Sequence, residues 1–167
     1  MPQVTKNLRD GELVVKDGAG TPASITLALD EGDLRITEYE DTIKVLDRGT
    51  LSHERMGDER PVEFSFTAKY VELMKQTGAS DPTLYEALRK IGGASGWTST
   101  QTDGGDVYTV TMVFTITSPT GGEENETITL SLAHAEQIEF SEGDEYNTVS
   151  VTGTAFMANL KSALAKV

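Results

Sequence analysis

The fold class is decided by residues 62–70, which read Val62-Glu63-Phe64-Ser65-Phe66-Thr67-Ala68-Lys69-Tyr70. Apolar residues occupy every even position of this stretch, and polar residues occupy every odd position. A period of two places the two sets on opposite faces of a β-strand. The stretch therefore predicts a strand with one face in a core and the other in water.

The same alternation recurs along the chain and predicts further strands. These are Leu13–Lys16, Ser24–Leu29, Leu34–Tyr39, Tyr108–Thr117, Thr127–Leu132, Ala135–Phe140 and Thr148–Ala155. Short turns rich in Gly and Asp separate several of them, which favours antiparallel neighbours. The pattern indicates a mainly β fold, an antiparallel β-sandwich or barrel.

One flanking α-helix is predicted from about Pro82 to Ile91. Asp81 is a suitable N-cap, Pro82 suits the first helical position, and Gly92 suits the position after the end. Leu84, Ala87, Leu88 and Ile91 form one apolar face. That face is expected to lie on a sheet.

No internal repeat and no Pro-, Gly- or Ser-rich linker divides the chain, so a single domain over residues 1–167 is expected. Within it, residues 1–10 are interpreted as an N-terminal arm. Residues 156–167 form a C-terminal tail or a short helix. Neither a signal peptide nor a membrane-spanning stretch is recognisable, and the chain contains no cysteine. These features predict synthesis in the cytoplasm and no membrane partner.

Charge is distributed unevenly along the chain. There are 27 acids and 14 bases, and residues 91–160 contain ten acids without a single Lys or Arg. This excess of acids argues against a protein that grips nucleic-acid phosphates. The acidic stretch is interpreted either as a solvated surface or as one side of a contact between unlike patches on two copies. A contact of the second kind closes into a ring or continues as a filament.

Motifs for catalysis or ligand binding are weak. The pattern Gly18-x-Gly20-x-x-Ala23 precedes a strand instead of the helix of a dinucleotide site, so a hairpin turn is expected. His53 and His134 lack the spacing of a metal-binding pair, and no activated nucleophile is recognisable beside either of them. The sequence predicts no catalytic residue, no metal and no cofactor, and therefore a protein that is not an enzyme.

Four segments resemble the N-terminal half of the tail tube proteins of long-tailed bacteriophages. About 70 residues carry the likeness, which is strongest in residues 11–18, 33–39, 43–49 and 55–66. The resemblance implies a β-sandwich with one flanking helix and a long hairpin or loop, here residues 40–61. It also implies hexameric rings that stack into a hollow tube in the virion tail.

The family's partners are carried over as expectations. They are further copies of the chain, a tape measure protein, and tail terminator or tip proteins. Viral DNA would pass through an acidic lumen without specific binding. The lumen-lining residues expected on this basis are Glu63, Ser65, Thr67, Glu38 and Glu40. For each, plain outer surface is the competing interpretation.

The mixed-charge stretch between Glu40 and Pro61 is expected to contact a neighbouring subunit or ring. The residues proposed for these contacts are Lys44, Asp47, Arg48, His53, Arg55, Asp58, Glu59 and Arg60. An ordinary solvated loop is the competing interpretation.

Two other functions fit the same pattern. One is a ring protein resembling the tube of type VI secretion. The other is a monomeric β-sandwich binding module, although Trp97 is the only tryptophan and a carbohydrate platform is not evident.

Overall fold

A computed structural model of the chain describes residues 11–29, 34–69, 72–75, 81–117, 124–143 and 145–166. The proposed N-terminal arm, residues 1–10, lies outside them. The described strands are β1 Glu12–Lys16, β2 Ser24–Ala28, β3 Arg35–Thr37, β4 Thr42–Asp47, β5 Thr50–Met56, β6 Val62–Lys69, β7 Val110–Ile116, β8 Glu126–Ser141, β9 Thr148–Ala155 and β10 Leu164–Lys166. Helix α1 spans Leu84–Arg89, and a short 3-10 helix spans Gly92–Ala94.

The strands form one large antiparallel sheet and one separate hairpin. The large sheet has the order β2-β1-β7-β8-β9-β6-β3, with β10 paired to the start of β8. A bridge between Leu29 and Ala68 connects the end of β2 to β6, so the sheet curls back toward its own far side. The hairpin consists of β4 and β5. The prediction of a mainly β, sandwich-like fold with one flanking helix and a long hairpin is confirmed.

The core lies on the inner face of the curled sheet. Val62, Phe64, Phe66 and Ala68 are all buried, as the period of two predicts, and Tyr70 lies outside the described residues. The Phe66 ring meets the Phe114 ring edge to face with centroids 5.9 Å apart. Burying each large apolar side chain stabilises the fold by about 1.5–3 kcal/mol. These rings join β6 to β7 across the interior.

The sequence prediction of separate strands at Thr127–Leu132 and Ala135–Phe140 is wrong, because β8 runs through both. Leu132 has φ +51°, and the pairing register with β7 shifts between Leu130 and Ala133, around this residue. A second shift, in the pairing with β9, follows between Ala135 and Gln137. The buried positions are Leu130 and then Ala133, so the alternation moves by one residue at the bend. Leu132 therefore does not join the core face. The first half of β8 pairs with β7 and β10, and the second half pairs with β9.

The predicted helix cap is also wrong by two residues. Thr83 is the N-cap: its hydroxyl accepts a 3.3 Å hydrogen bond from the Glu86 amide, and the Glu86 carboxylate accepts a 2.9 Å bond from the Thr83 amide. This reciprocal capping box starts the helix at Leu84. The helix ends at Arg89 because Lys90 adopts a left-handed conformation, φ +55°.

Glu86 is fully buried and connects three segments. Besides capping Thr83, its carboxylate accepts hydrogen bonds from the amides of Lys75, at 3.2 Å, and Gly93, at 3.5 Å. These bonds, the Thr83 amide first, outweigh burial and hold the pKa of Glu86 below its ordinary value. The carboxylate therefore holds residues 72–75 against the helix and the 3-10 turn.

The C-terminal stretch is neither a helix nor an unattached tail. It ends in the three-residue strand β10, and the Ala163 carbonyl accepts a 2.8 Å hydrogen bond from the Thr129 amide. At the other edge of β8, the Arg89 guanidinium donates to the Ala135 carbonyl at 3.0 Å. Both contacts stabilise the bent strand at the centre of the fold.

Candidate self-assembly site

The hairpin of β4 and β5 projects from the sheet and pairs only with itself among the described strands. Its strands are joined by the two-residue loop Arg48-Gly49, in which both residues have positive φ, +47° and +82°. Positive φ at both loop positions is the signature of a type I′ turn, whose twist matches that of the strands. The sequence at this turn therefore favours a hairpin over an irregular loop.

The neck of the hairpin is closed by a backbone contact. The Gly57 amide donates a 2.7 Å hydrogen bond to the Asp41 carbonyl. A Cβ atom at Gly57 would lie 2.9 Å from an Asp41 carboxylate oxygen, so only glycine allows this close approach without a shift. The hairpin thus begins and ends at one fixed point beside β6.

Large apolar side chains on the hairpin are exposed to solvent. The hairpin surface comprises Ile43, Leu46, Leu51 and Met56, each of which is between 55% and 69% exposed. Beside the base of the hairpin, Phe156 is 73% exposed. Several exposed apolar side chains on one projecting element mark an interaction site, and a two-stranded hairpin alone is only marginally stable in water. This surface is consistent with a partner that covers it.

The hairpin differs from the rest of the chain in charge. Residues 42–56 contain three bases and two acids, whereas the remainder contains 11 bases and 25 acids. A weakly basic, apolar arm therefore projects from a strongly acidic body. Opposite charge on the arm and the body favours contacts between different copies.

The structure places all eight residues proposed for subunit contacts on the hairpin or on the segment that follows it. Those on the hairpin are Lys44, Asp47, Arg48, His53 and Arg55, and those on the return to β6 are Asp58, Glu59 and Arg60. All eight are exposed. Sequence reasoning selected these charged residues but missed the exposed apolar ones. Apolar and polar residues do not alternate clearly along β4 and β5, because both faces of the hairpin are in water.

A second feature is a polar sheet face on β3, β6, β9 and the second half of β8. The pairing register places Glu63, Ser65 and Thr67 directly across from β9 residues with side chains of similar polarity. The polar face is made of Arg35, Thr37, Glu63, Ser65, Thr67, Ser150, Thr152, Thr154, Gln137 and Glu139. Three of the five residues predicted to line a lumen therefore lie on one continuous surface.

Hydroxyl groups dominate the polar face. The Thr67 and Ser150 hydroxyls are 3.1 Å apart, and the Thr154 hydroxyl donates a 2.9 Å bond to the Glu136 carboxylate. Nearby charges are three carboxylates, Glu63, Glu136 and Glu139, and two bases, Arg35 and Lys69. The face is polar and slightly acidic. Sequence reasoning missed the polar residues of β9, because only the pairing register shows that they lie beside those of β6 on the same face.

The other two predicted lumen residues lie elsewhere. The Glu38 carboxylate accepts a 3.0 Å hydrogen bond from the Leu160 amide and so anchors the C-terminal segment. Glu40 is exposed near the neck of the hairpin, close to Met56. Between them, the Tyr39 hydroxyl donates to the Glu63 carboxylate at 3.2 Å, which raises the pKa of Tyr39. This bond joins the hairpin base to the edge of the polar face.

The weak ligand motifs have structural roles. The Gly18–Gly20 turn joins antiparallel β1 and β2, and the buried Asp17 carboxylate accepts bonds from the Ala23 amide at 2.9 Å and the Thr98 amide at 3.1 Å. His134 Nδ1 donates to the Tyr108 carbonyl at 2.9 Å. Within the described part of the chain, no group of three or more His, Asp or Glu residues is placed to hold a metal ion.

Comparison with known proteins adds a likeness in shape. No protein-family model matches the chain. No curated protein sequence matches it either. A solved structure with a similar arrangement is the six-fold symmetrised baseplate of the anti-feeding prophage, at 10% identity and a TM-score of 0.45, covering 100% of this chain and 93% of that one. Over the described ranges, no helix has the length and hydropathy required to span a bilayer.

Proposed function

We propose that the chain is a structural subunit of a bacteriophage tail, which assembles with its own copies into stacked hexameric rings that form a tail tube. The observation that carries this proposal is the projecting hairpin with its exposed Ile43, Leu46, Leu51 and Met56. A monomer gains little from holding these side chains in water. A neighbouring subunit that covers them supplies the missing burial. In this function the chain catalyses no reaction.

Charge supports a second copy as the partner. The arm is weakly basic and the body strongly acidic, so arm-to-body contacts are favoured over body-to-body contacts. Arm and body are different surfaces of one chain, which makes the contact heterologous. Heterologous contacts generate closed rings or continuous filaments, and a tube of stacked rings uses both.

The polar face is the surface proposed to line the lumen. Binding to DNA phosphates requires Lys or Arg side chains that displace counterions, and this face has only two bases among its hydroxyls. Its three carboxylates repel phosphates. Viral DNA would therefore pass without being held. The partners expected along such a tube are a tape measure protein inside it and tail terminator or tip proteins at its ends.

The competing function, a monomeric carbohydrate-binding module, is disfavoured by one side chain. Trp97 is only 5% exposed and packs in the core. Its ring is therefore not available as a platform on which a sugar stacks.

Electron microscopy of the concentrated protein tests the proposal. The matched control replaces residues 42–56 with Asn-Gly, a two-residue turn that the hydrogen-bonded neck at Asp41 and Gly57 can accommodate. We expect rings or tubes with a central bore from the native chain and folded monomers from the control. Monomers of the native chain at every concentration and salt would contradict the proposal, as would a control that assembles equally well.

A further inference from the structure

We infer that the hairpin of one subunit docks into an apolar pocket at the opposite end of the sheet of a second copy. This inference rests on the proposed function, because it identifies the two surfaces through which copies meet. It assigns the pocket a specific occupant, the tip of another subunit's hairpin.

Strand β6 separates the two surfaces. Its first residue, Val62, pairs with Ala155 close to the hairpin neck, and its last residue, Lys69, pairs with Thr148 beside the pocket. Eight residues at about 3.3 Å each place the ends roughly 23 Å apart. The hairpin therefore leaves one end of the sheet, and the pocket opens at the other.

The pocket is apolar and open to solvent. It has a volume of about 330 Å³, and the apolar residues that line it are Leu27, Leu73, Leu84, Tyr85, Phe140 and Val149. The Tyr85 and Phe140 rings pack edge to face with centroids 5.5 Å apart and form one wall. Leu73 is 45% exposed, so apolar surface at this pocket is accessible to solvent in the subunit.

The tip of the hairpin matches this pocket in apolar character. Leu46 and Leu51 are cross-strand partners next to the turn, and they are 61% and 55% exposed. Side chains directly opposite each other across two strands lie on the same face. The tip thus presents a pair of exposed aliphatic side chains, with Arg48 in the turn beyond them.

Charge around the pocket complements the tip. Glu72 lines the pocket, and Glu142 and Glu145 are exposed on the connection between two of its lining residues, Phe140 and Val149. The two bases at this end are already engaged: Lys75 forms an ion pair with Asp81, and Lys69 Nζ lies 3.8 Å from the centroid of the Tyr146 ring. The four acids here, Glu72, Asp81, Glu142 and Glu145, outnumber these two bases, and this excess favours the approach of Arg48 to this end of the neighbour.

A contact of this kind is directional. The hairpin and the pocket are different surfaces at opposite ends of one subunit. A pair of docked subunits therefore still has one free hairpin and one free pocket. The contact can repeat from one subunit to the next and so build a ring or a filament. It cannot be satisfied by a symmetric pair of hairpins.

Cysteine cross-linking tests the inference cleanly because the chain contains no cysteine. Leu51→Cys at the tip and Leu73→Cys at the pocket are made as separate variants, mixed under assembly conditions and oxidised. The matched control replaces the 46%-exposed Val107, which lies outside both surfaces, with cysteine. Thermal unfolding of each variant verifies that it folds.

We expect a disulfide-linked dimer from the mixture of L51C and L73C, at least tenfold more than from either variant alone or from L51C mixed with V107C. Dimers from L51C alone would overturn the inference in favour of a symmetric hairpin contact. Tubes that form without the L51C–L73C cross-link would also overturn it, while leaving the proposed function intact. Failure of the native chain to assemble at all would overturn both.

Discussion

The Gly57 amide lies 2.7 Å from the Asp41 carbonyl, and this one hydrogen bond separates the projecting hairpin from the core of the subunit. Residues 42–56, beyond this bond, are largely exposed, whereas the buried core residues lie in the curled sheet and its flanking helices. The arrangement separates a packed body from an arm that we propose contacts other subunits.

Removal of the hairpin is expected to leave the subunit stable. Because residues 42–56 bury little against the sheet, replacing them with Asn-Gly should change the free energy of unfolding by no more than about 1 kcal/mol. Urea denaturation followed by tryptophan fluorescence measures this through the buried Trp97. A loss of several kcal/mol would show that the hairpin supports the core and does not act as a separate arm.

Glu86→Ala is expected to destabilise the subunit strongly. The substitution removes the acceptor for the amides of Thr83, Lys75 and Gly93 and half of the capping box. Unsatisfied buried donors and a lost cap together cost about 3 kcal/mol. Urea denaturation provides the measurement. As a control, the exposed Glu145→Ala should stay within about 0.5 kcal/mol of the native chain.

The same carboxylate predicts a specific acid sensitivity. The pKa of Glu86 in the folded chain lies below its ordinary value of 4.5, chiefly because the Thr83 amide donates to it. As the pH falls, the unfolded chain takes up the proton first. The stabilisation is therefore complete above about pH 4.5 and is lost as the pH falls through the lowered folded pKa.

Urea denaturation at several pH values between about 7 and about 3 checks this dependence. In the acidic part of the range, the native chain should lose stability more steeply than the Glu86→Gln variant, which has no proton to gain at this position. Equal slopes for the two proteins would rule out Glu86 as the source.

Gly153→Ala is expected to strain the centre of the sheet. A Cβ atom at this β9 position would lie 2.0 Å from the His134 carbonyl and 2.9 Å from the Phe64 ring. Neither the backbone nor a packed ring moves easily, so we expect a loss of about 3 kcal/mol in the free energy of unfolding. Gly20→Ala, with no atom within 4 Å of its Cβ, serves as the neutral control in the same denaturation assay.

Assembly should increase with ionic strength. Each subunit carries a net charge of −13, and this repulsion is screened when the Debye length falls from about 8 Å at physiological salt to about 3 Å at 1 M. Because the proposed contact is mainly apolar, the screening of charges by salt weakens it less than it weakens the repulsion between subunits. Light scattering against salt concentration measures the onset, and a decrease in scattering as salt rises would contradict the prediction.

The orientation of the polar face can be tested with a single thiol. In assembled tubes, Thr152→Cys should react slowly with a maleimide carried on a large polymer, because the lumen excludes the polymer. Val107→Cys provides the comparison, and both thiols should react at similar rates in monomers. Rapid labelling of Thr152→Cys in tubes would place the polar face outside.

The sequence predicted the strands that have one face in the core and the other in water, such as β6 and β9, because burial on one side produces a period of two. It missed the continuity of β8, since the left-handed Leu132 shifts the alternation and imitates a break. The helix start was recoverable, because Thr83 and Glu86 have the spacing of a capping box. The contribution of β9 to the polar face could not be predicted, because the pairing register is a property of two strands and cannot be read from the sequence of one.

The left-handed pair Arg48-Gly49 also bears on how quickly copies can capture one another. Its twist agrees with that of β4 and β5, so the turn favours the paired conformation of the arm before any contact is made. A floppy segment would forfeit about 1–2 kcal/mol of backbone entropy for each residue that it ordered on contact. An arm preorganised in this way loses far less, and encounters become productive without a slow rearrangement.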